Sequence, residues 1–548
     1  MRVLGKFAVA LVALAGSLAL ASSAAAGTFC VPAYFDGCPD NGTNTLSVGS
    51  GPGPKLESAM AISGSDGIPD TVRLDSGTYV DIDSFKASGT DDLTVIGNGR
   101  EKTFLTSGAS TNQSVLDLIP GNSRHVTMKD LAVVVPDGFP NGPGYGSAIQ
   151  SKGDDFESVD VINDNPGGPV GSSAFANLTD GAILDDVRIF GKNGARFDTG
   201  IGSFSCGTGQ VRINQAEVTA RFGVVTDCPD MPFTVERSRF TGADFALSAS
   251  NGAHLDASNV LIESGAAVPI DAYNDKGDGA TVVDIDQATI VAVGDPTLPA
   301  IRLTVGNYPS ATDSIAVDVS NSIIVGFDDT WRVDAPASNA LGDATLGLRY
   351  SSFTPTGSAT GDVAVNQGAG NISGNPGFAG VTDYRLTEGS PAIDAGDPSA
   401  TEPILDLEGN ARPLDGDRDG SAVRDMGAYE FNPPPLSCPA DPSLCPTEPP
   451  TKDTTAPKVS KVKFRFKRGK GGFLKLRLSE AAKVKVVLAP VPKKHRKTRK
   501  FTRKLKSGAN RIKLRKNQLK RGRYKLRITA TDSSGNRSGP VKKKVRVR

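Results

Sequence analysis

Val126-Thr127-Met128-Lys129-Asp130-Leu131-Ala132-Val133 reads apolar, any, apolar, any, any, small or apolar, any, apolar, and the chain writes this pattern nine times. It returns with Phe156, Val159 and Val161, then Ala182, Leu184, Val187 and Ile189, then Val211, Ile213, Ala216 and Val218, then Phe233, Val235, Ser238 and Phe240. Ala253, Leu255, Ser258 and Val260 form the sixth copy, and Val283, Val317 and Leu346 open the last three. Starts at 126, 154, 182, 211, 233, 253, 283, 317 and 346 lie 20 to 34 residues apart, the length of one solenoid turn. Positions one and three alternate as a short strand does, two residues turn the chain, and positions six to eight begin a second strand. A unit this short cannot bury its own apolar face, whereas stacked units pair in parallel and share one interior. The small residues at position six (216, 238, 258, 288, 322 and 351) suit a corner where the backbone presses inward.

The pattern resembles the parallel β-helix repeat of pectate-lyase-like proteins over about 300 residues. That resemblance implies a right-handed parallel β-helix (solenoid) over 126–374; with the small β-sandwich expected after it, the chain reads as all-β. Lyases, hydrolases and plain surface proteins share such turns, so the fold assigns no activity. Within 27–125, an amphipathic helix at 55–63 followed by a strand at 70–79 resembles the amino-terminal cap of β-helix proteins, with the first coils behind it.

Residues 1–26 carry Arg2 and Lys6, an apolar run, and Ala24-Ala25-Ala26, as a removable secretory signal does. Six cysteines fall into local pairs, which suits an oxidising, secreted or cell-surface setting. Cys30 with Cys38 and Cys438 with Cys445 close small loops. Cys206 and Cys228 lie one coil apart and either bridge adjacent coils or remain two core thiols. The net charge of +1 conceals a division. Residues 452–548 hold 36 Lys and Arg against Asp453, Glu480 and Asp532, a net of +33, while 27–451 hold 23 basic and 57 acidic residues, a net of −34.

Extra residues in the longer coils follow position eight, at 137–145, 163–171, 191–207, 294–299 and 326–336. They are expected to stack into a wall of loops, the face by which repeat proteins commonly bind. Trp331, beside Asp328, Asp329 and Arg332, either stacks on a sugar ring or covers the end of the core.

From Asn375 the text changes: Asn375-Pro-Gly-Phe378, Asp383-Tyr-Arg-Leu386, Gly389-Ser-Pro-Ala-Ile-Asp394, Asp406-Leu-Glu-Gly-Asn410 and Asp425-Met-Gly-Ala-Tyr-Glu430. Residues 375–431 closely resemble the choice-of-anchor Q domain of secreted bacterial surface proteins, which implies export and surface attachment and assigns no catalytic residue. The segment is expected to cap the last coil with Tyr384, Leu386 and Ile393. Asp415, Asp417 and Asp419 alternate before Gly420 like the first half of a calcium loop, but the twelfth position is Met426, so calcium and a solvated acidic turn both stay open. No other cofactor is expected. A proline-rich linker at 432–457 leads to 458–548, where six or seven alternating strands resemble bacterial immunoglobulin-like or fibronectin-like modules. Lys493, Lys494, Arg496, Lys497, Arg499 and Lys500 are its densest cationic run and the candidate polyanion site.

Two function classes compete. A lyase or glycoside hydrolase needs paired acids or a base over an acidic sugar. The pairs Asp154/Asp155, Asp185/Asp186 and Asp328/Asp329 each place an acid at a solvated turn, and His125 and His254 stand outside the motifs of polygalacturonase-like enzymes. The favoured class is an exported, non-catalytic, binding or adhesive surface protein, expected as a monomer. Its basic module would hold cell-wall polymers or acidic polysaccharide; nucleic acid is disfavoured, because stacking aromatics are few.

Overall fold

The computed structural model describes residues 28–31, 38, 52–62, 67–434 and 456–547, apart from short stretches within them such as 109–113, 140–145, 167–171, 307–313, 336–342 and 492–496. The expected signal at 1–26, most of the expected linker, Cys438, Cys445, Lys493, Lys494 and Arg496 lie outside the described residues. The chain divides into two compact units, 1–433 and 434–548.

In the first unit 31 strands form the parallel ladders of a β-helix. All nine copies occupy successive turns, paired for instance as Met128 with Phe156, Phe156 with Leu184, and Val319 with Leu348. Position three and position eight point into one core, from Met128 and Val133 at 0% exposure to Leu348 at 1% and Phe353 at 4%. The sixth copy sits two residues later than its sequence pattern indicates. Phe233 pairs with Leu255 and Val235 with Ala257, so this copy is Leu255, Ala257, Val260 and Ile262. A two-residue slip keeps every side chain on its face, so both registers satisfy the apolar pattern.

The corner fixes the true register. Position five is left-handed in every copy: Asp130, Ser158, Asp186, Gln215, Arg237, Asn259, Gln287, Asn321 and Tyr350 have φ between 46° and 59°. This kink lets the ladder run unbroken around the bend, as where the Gln215 N–H donates to Glu236 O at 3.0 Å and that of Asn259 to Asp286 O at 3.1 Å. Serine at position six has a specific task there. The Ser238, Ser322 and Ser351 hydroxyls accept from the N–H groups of Ala216, Ala288 and Ser322 on the preceding coils. Each then donates to a carbonyl two residues back in its own chain.

A third strand completes most coils and forms its own parallel ladder, through Ser147–Gln150, Ser173–Ala176, Phe197–Ser203, Phe245–Ser250, Ile270–Asn274, Ile301–Val305 and Trp331–Asp334. Two of the expected wall loops, 191–207 and 326–336, therefore each contain a length of this strand. At the amino end, Thr28–Val31 pairs with Asp70–Leu74, and the helix Pro52–Ile62 buries Leu56, Ala59 and Met60. Cys30–Cys38 and Cys206–Cys228 are both disulfide-bonded, the second joining adjacent coils.

The carboxyl end departs from expectation. A tenth, partial copy at Val363–Gln367 pairs Val365 with Leu346 and Gln367 with Leu348. Its inward places carry Gln367 and Asn371, and the Asn371 amide satisfies Ser351 N–H and Leu348 O. The solenoid thus ends by turning its interior polar, as terminal repeats do. Residues 375–431 touch that coil at Ile372, but their main seat is elsewhere. They fold back along the side of copies five to eight, where Leu261, Val291 and Ile323 face outward and meet Tyr384, Leu407 and Tyr429, and Leu386, Ile393 and Met426. Backbone and side-chain bonds fix the seat: Gly427 N–H to Asn321 O (2.7 Å), Ala428 N–H to Thr289 Oγ1 (2.9 Å), and Asn259 Nδ2 to Leu405 O (2.8 Å). Beneath it Arg412 is wholly buried, bonded to Gln287 Oε1 and Gly427 O and 3.5 Å from Glu430. Burial, with Glu430 alongside, pushes the Asp425 carboxyl up to about 8.

The second unit is a β-sandwich with a three-stranded and a four-stranded antiparallel sheet. Leu474, Leu476 and Ile512 of one sheet share a core with Val484, Val486, Leu526 and Ile528 of the other. Within Gly522–Thr531 the alternation is strict from Arg523 to Ile528: Tyr524, Leu526 and Ile528 are buried while Arg523, Lys525 and Arg527 are exposed.

Candidate functional site

With copy six in its true register, position two of copies six to eight is an aspartate each time: Asp256, Asp284 and Asp318, paired on consecutive strands. Adjacent strands lie about 4.8 Å apart, so three carboxylates stand in a column on the outer face of the sheet. Burial, then Asp256 and Asp318 on either side, holds the Asp284 carboxyl above its usual range. The next coil places Gly347 there, and a Cβ on it would meet Asp318 Oδ1 at 2.0 Å.

The docked segment supplies the opposite wall. Asp397 and Ala400 close a hollow of about 420 Å³ over Asp256, Asp284, Asp286, Asp318, Asn321 and Arg349. Glu402, Pro403, Ile404 and Leu405 close a second, of about 460 Å³, over Glu236, Arg237, Ser258, Asn259 and Asp286. Ser258 and Asp286 line both, so the two form one cleft. Asn321 is its hinge post: Nδ2 donates to Asp286 Oδ1 at 2.6 Å, and Oδ1 accepts the Asp397 N–H at 2.6 Å. His254 Nε2 lies 3.2 Å from Asp256 and 3.8 Å from Asp284, and these three bring ligating atoms within 4.8 Å of one another.

The acid pairs read from the sequence serve the fold. Asp154 accepts from Val126 N–H and Ser151 Oγ and is pushed up to about 6 by burial, while Asp155 faces His125 at 3.1 Å. Asp186 binds Arg100, and Asp185 binds Asn214. Trp331 is 7% exposed and packs edge-on against Phe353, centroids 6.3 Å apart, so the indole belongs to the core and presents no face to a sugar. Asp328 and Asp329 sit in the turn before it, and Arg332 lies in the ladder beside Arg302. Asp415 and Asp417 come together with Asp394 rather than with Asp419, whose carboxylate caps the Ser421 N–H. Lys497, Arg499 and Lys500 are exposed.

The aspartate column escaped the sequence reading because the slipped register put Asp256 at position four. Asn259, among non-glycine residues one of those that most readily take a left-handed corner, was the signal that would have placed it.

No protein-family model and no curated protein sequence matches the chain. Among solved structures, a pectin methylesterase from Aspergillus niger, crystallised in a penultimately deglycosylated form, aligns at 13% identity over 68% of this chain and 93% of its own, with a TM-score of 0.26. Among the described residues no helix is long and apolar enough to cross a membrane.

Proposed function

We propose that this is an exported, non-catalytic surface protein whose β-helix displays a binding cleft and whose basic sandwich holds anionic polymers of a cell wall or acidic polysaccharide. The carrying observation is the separation of charge: a net of +33 on residues 452–548, set on strands whose apolar faces form a core and whose other faces are Lys and Arg. Such a surface binds polyanions through counterion release, with affinity falling as salt rises. The resemblance of 375–431 to a choice-of-anchor Q domain, and of 458–548 to bacterial immunoglobulin-like modules, supports export and surface attachment. Removing 452–548 is expected to abolish retention on an anionic matrix at low salt and to release the protein from the cell envelope. Equal partitioning of the truncated and full-length proteins would refute the tether.

Calcium belongs to the same proposal. Asp415 Oδ1 is shielded from solvent and has no hydrogen-bond partner, which fits a cation held with Asp417 and Asp394.

A second reading, a polysaccharide lyase or glycoside hydrolase, draws support from Asp284, an acid kept protonated more readily by burial and then by its two aspartate neighbours. Under this reading the full-length protein cleaves at least one member of a panel of acidic and neutral polysaccharides, and Asp284→Asn does not. An uncut panel, with and without calcium, removes it.

A further inference from the structure

We infer that the cleft between the aspartate column and residues 397–405 is a subsite for a glycan bearing free amino groups. This rests on the binding reading above but concerns the β-helix rather than the basic sandwich. The cleft is lined by seven carboxylates (Glu236, Asp256, Asp284, Asp286, Asp318, Asp397 and Glu402) against two cations, Arg237 and Arg349. A polyanion such as polygalacturonate is repelled there, whatever the basic sandwich does with it.

A second observation is independent of the acids. Asn259 is 2% exposed and lines the cleft; its Nδ2 is used by Leu405 O, and its Oδ1 has no hydrogen-bond partner. A buried amide oxygen left unpaired costs about 1–3 kcal/mol, so the site asks for a donor from outside. Carboxylates and an amide oxygen are all acceptors, and a ligand that matches them therefore brings donors and positive charge. Two features favour a saccharide over a bare ion. Hollows of about 420 and 460 Å³ have the dimensions of small-molecule sites. The acids also recur once per coil in a line, which matches a polymer that repeats a charge from unit to unit, such as one of glucosamine.

The test is calorimetric titration of the full-length protein, at about 150 mM salt where long-range attraction is screened, with hexamers of glucosamine, N-acetylglucosamine and galacturonate. The glucosamine hexamer is expected to bind at least about tenfold more tightly than the other two, and Asp256→Asn, Asp284→Asn and Asp318→Asn each to weaken it about tenfold, the equivalent of one lost charge contact. Asp343→Asn and Asp362→Asn, exposed acids outside the cleft, are expected to leave it unchanged. Equal weakening by these two would show general attraction to an acidic body and overturn the assignment. So would equal affinity for the acetylated hexamer, or calcium chloride binding with the same aspartate dependence in a protein that ignores the glycan. Binding that survives deletion of 452–548 supports the site whatever becomes of the tether.

Discussion

The hydroxyl of Tyr384 donates to Glu263 Oε1 at 2.8 Å across 121 residues of sequence, joining the docked segment to the outer face of copy six. Tyr384 is 3% exposed, and burial followed by the Glu263 charge drives its phenol far above the ordinary range. Tyr384→Phe removes only this bond and leaves a carboxylate short of a partner. It is expected to weaken the seat of 375–431 by about 1.5–3 kcal/mol, the scale of a hydrogen bond to a charged group. Hydrogen exchange should show the amides of this segment opening earlier, while those of the coil ladders remain protected.

The corner residues offer a backbone test. Asp130 is exposed and left-handed at φ 54°. Asp130→Val places a β-branched residue there and is expected to cost about 1–2 kcal/mol, whereas Asp130→Gly, free to adopt the same angle, is expected to melt close to wild type.

The seam between copies one and two should weaken in two steps as pH rises. Burial raises the Asp154 carboxyl from 3.8 to about 6. Its protonated form is favoured by the fold, so stability is highest below about pH 4 and falls as pH rises through 6. His125 is raised from 6.5 to about 9, first by its hydrogen bond to Asp155. Its contribution is complete below 6.5 and lost as pH rises through 9. Urea midpoints measured from pH 4 to 10 should show both declines, Asp154→Asn flattening the lower and His125→Gln the upper.

Calcium chloride is expected to raise the melting temperature of the full-length protein through Asp394, Asp415 and Asp417. Asp415→Asn should abolish the rise, and Asp419→Asn should spare it, because the Asp419 carboxylate is taken by Ser421 N–H.

Much of the fold was legible in the sequence because inward positions repeat with a fixed phase, and Met128, Leu184 and Ile290 could scarcely serve any other purpose. The third strand was not: Ser147–Gln150 and Ser173–Ala176 are four residues long, too short to show a period. The site was hidden twice, once by the slip at Ala257 and once by the assumption that a carboxyl-terminal segment must sit on the carboxyl-terminal coil. A cue existed for the second. Outward position seven is charged at Asp160, Arg188, Glu217 and Arg239 and then becomes Leu261, Thr289 and Ile323. Apolar residues facing away from a core demand a cover, and the cover forms the far wall of the cleft.

The polar tenth copy has one more consequence. Because the terminus is written into the final turn itself, with Gln367 and Asn371 in place of aliphatic residues, length is a free variable of this architecture. Duplicating a turn between Val126 and Ile189 would leave both extremities, the aspartate column and the seat of 375–431 untouched. Evolution or an engineer could thus lengthen the rod by one coil at a time without redrawing the cleft.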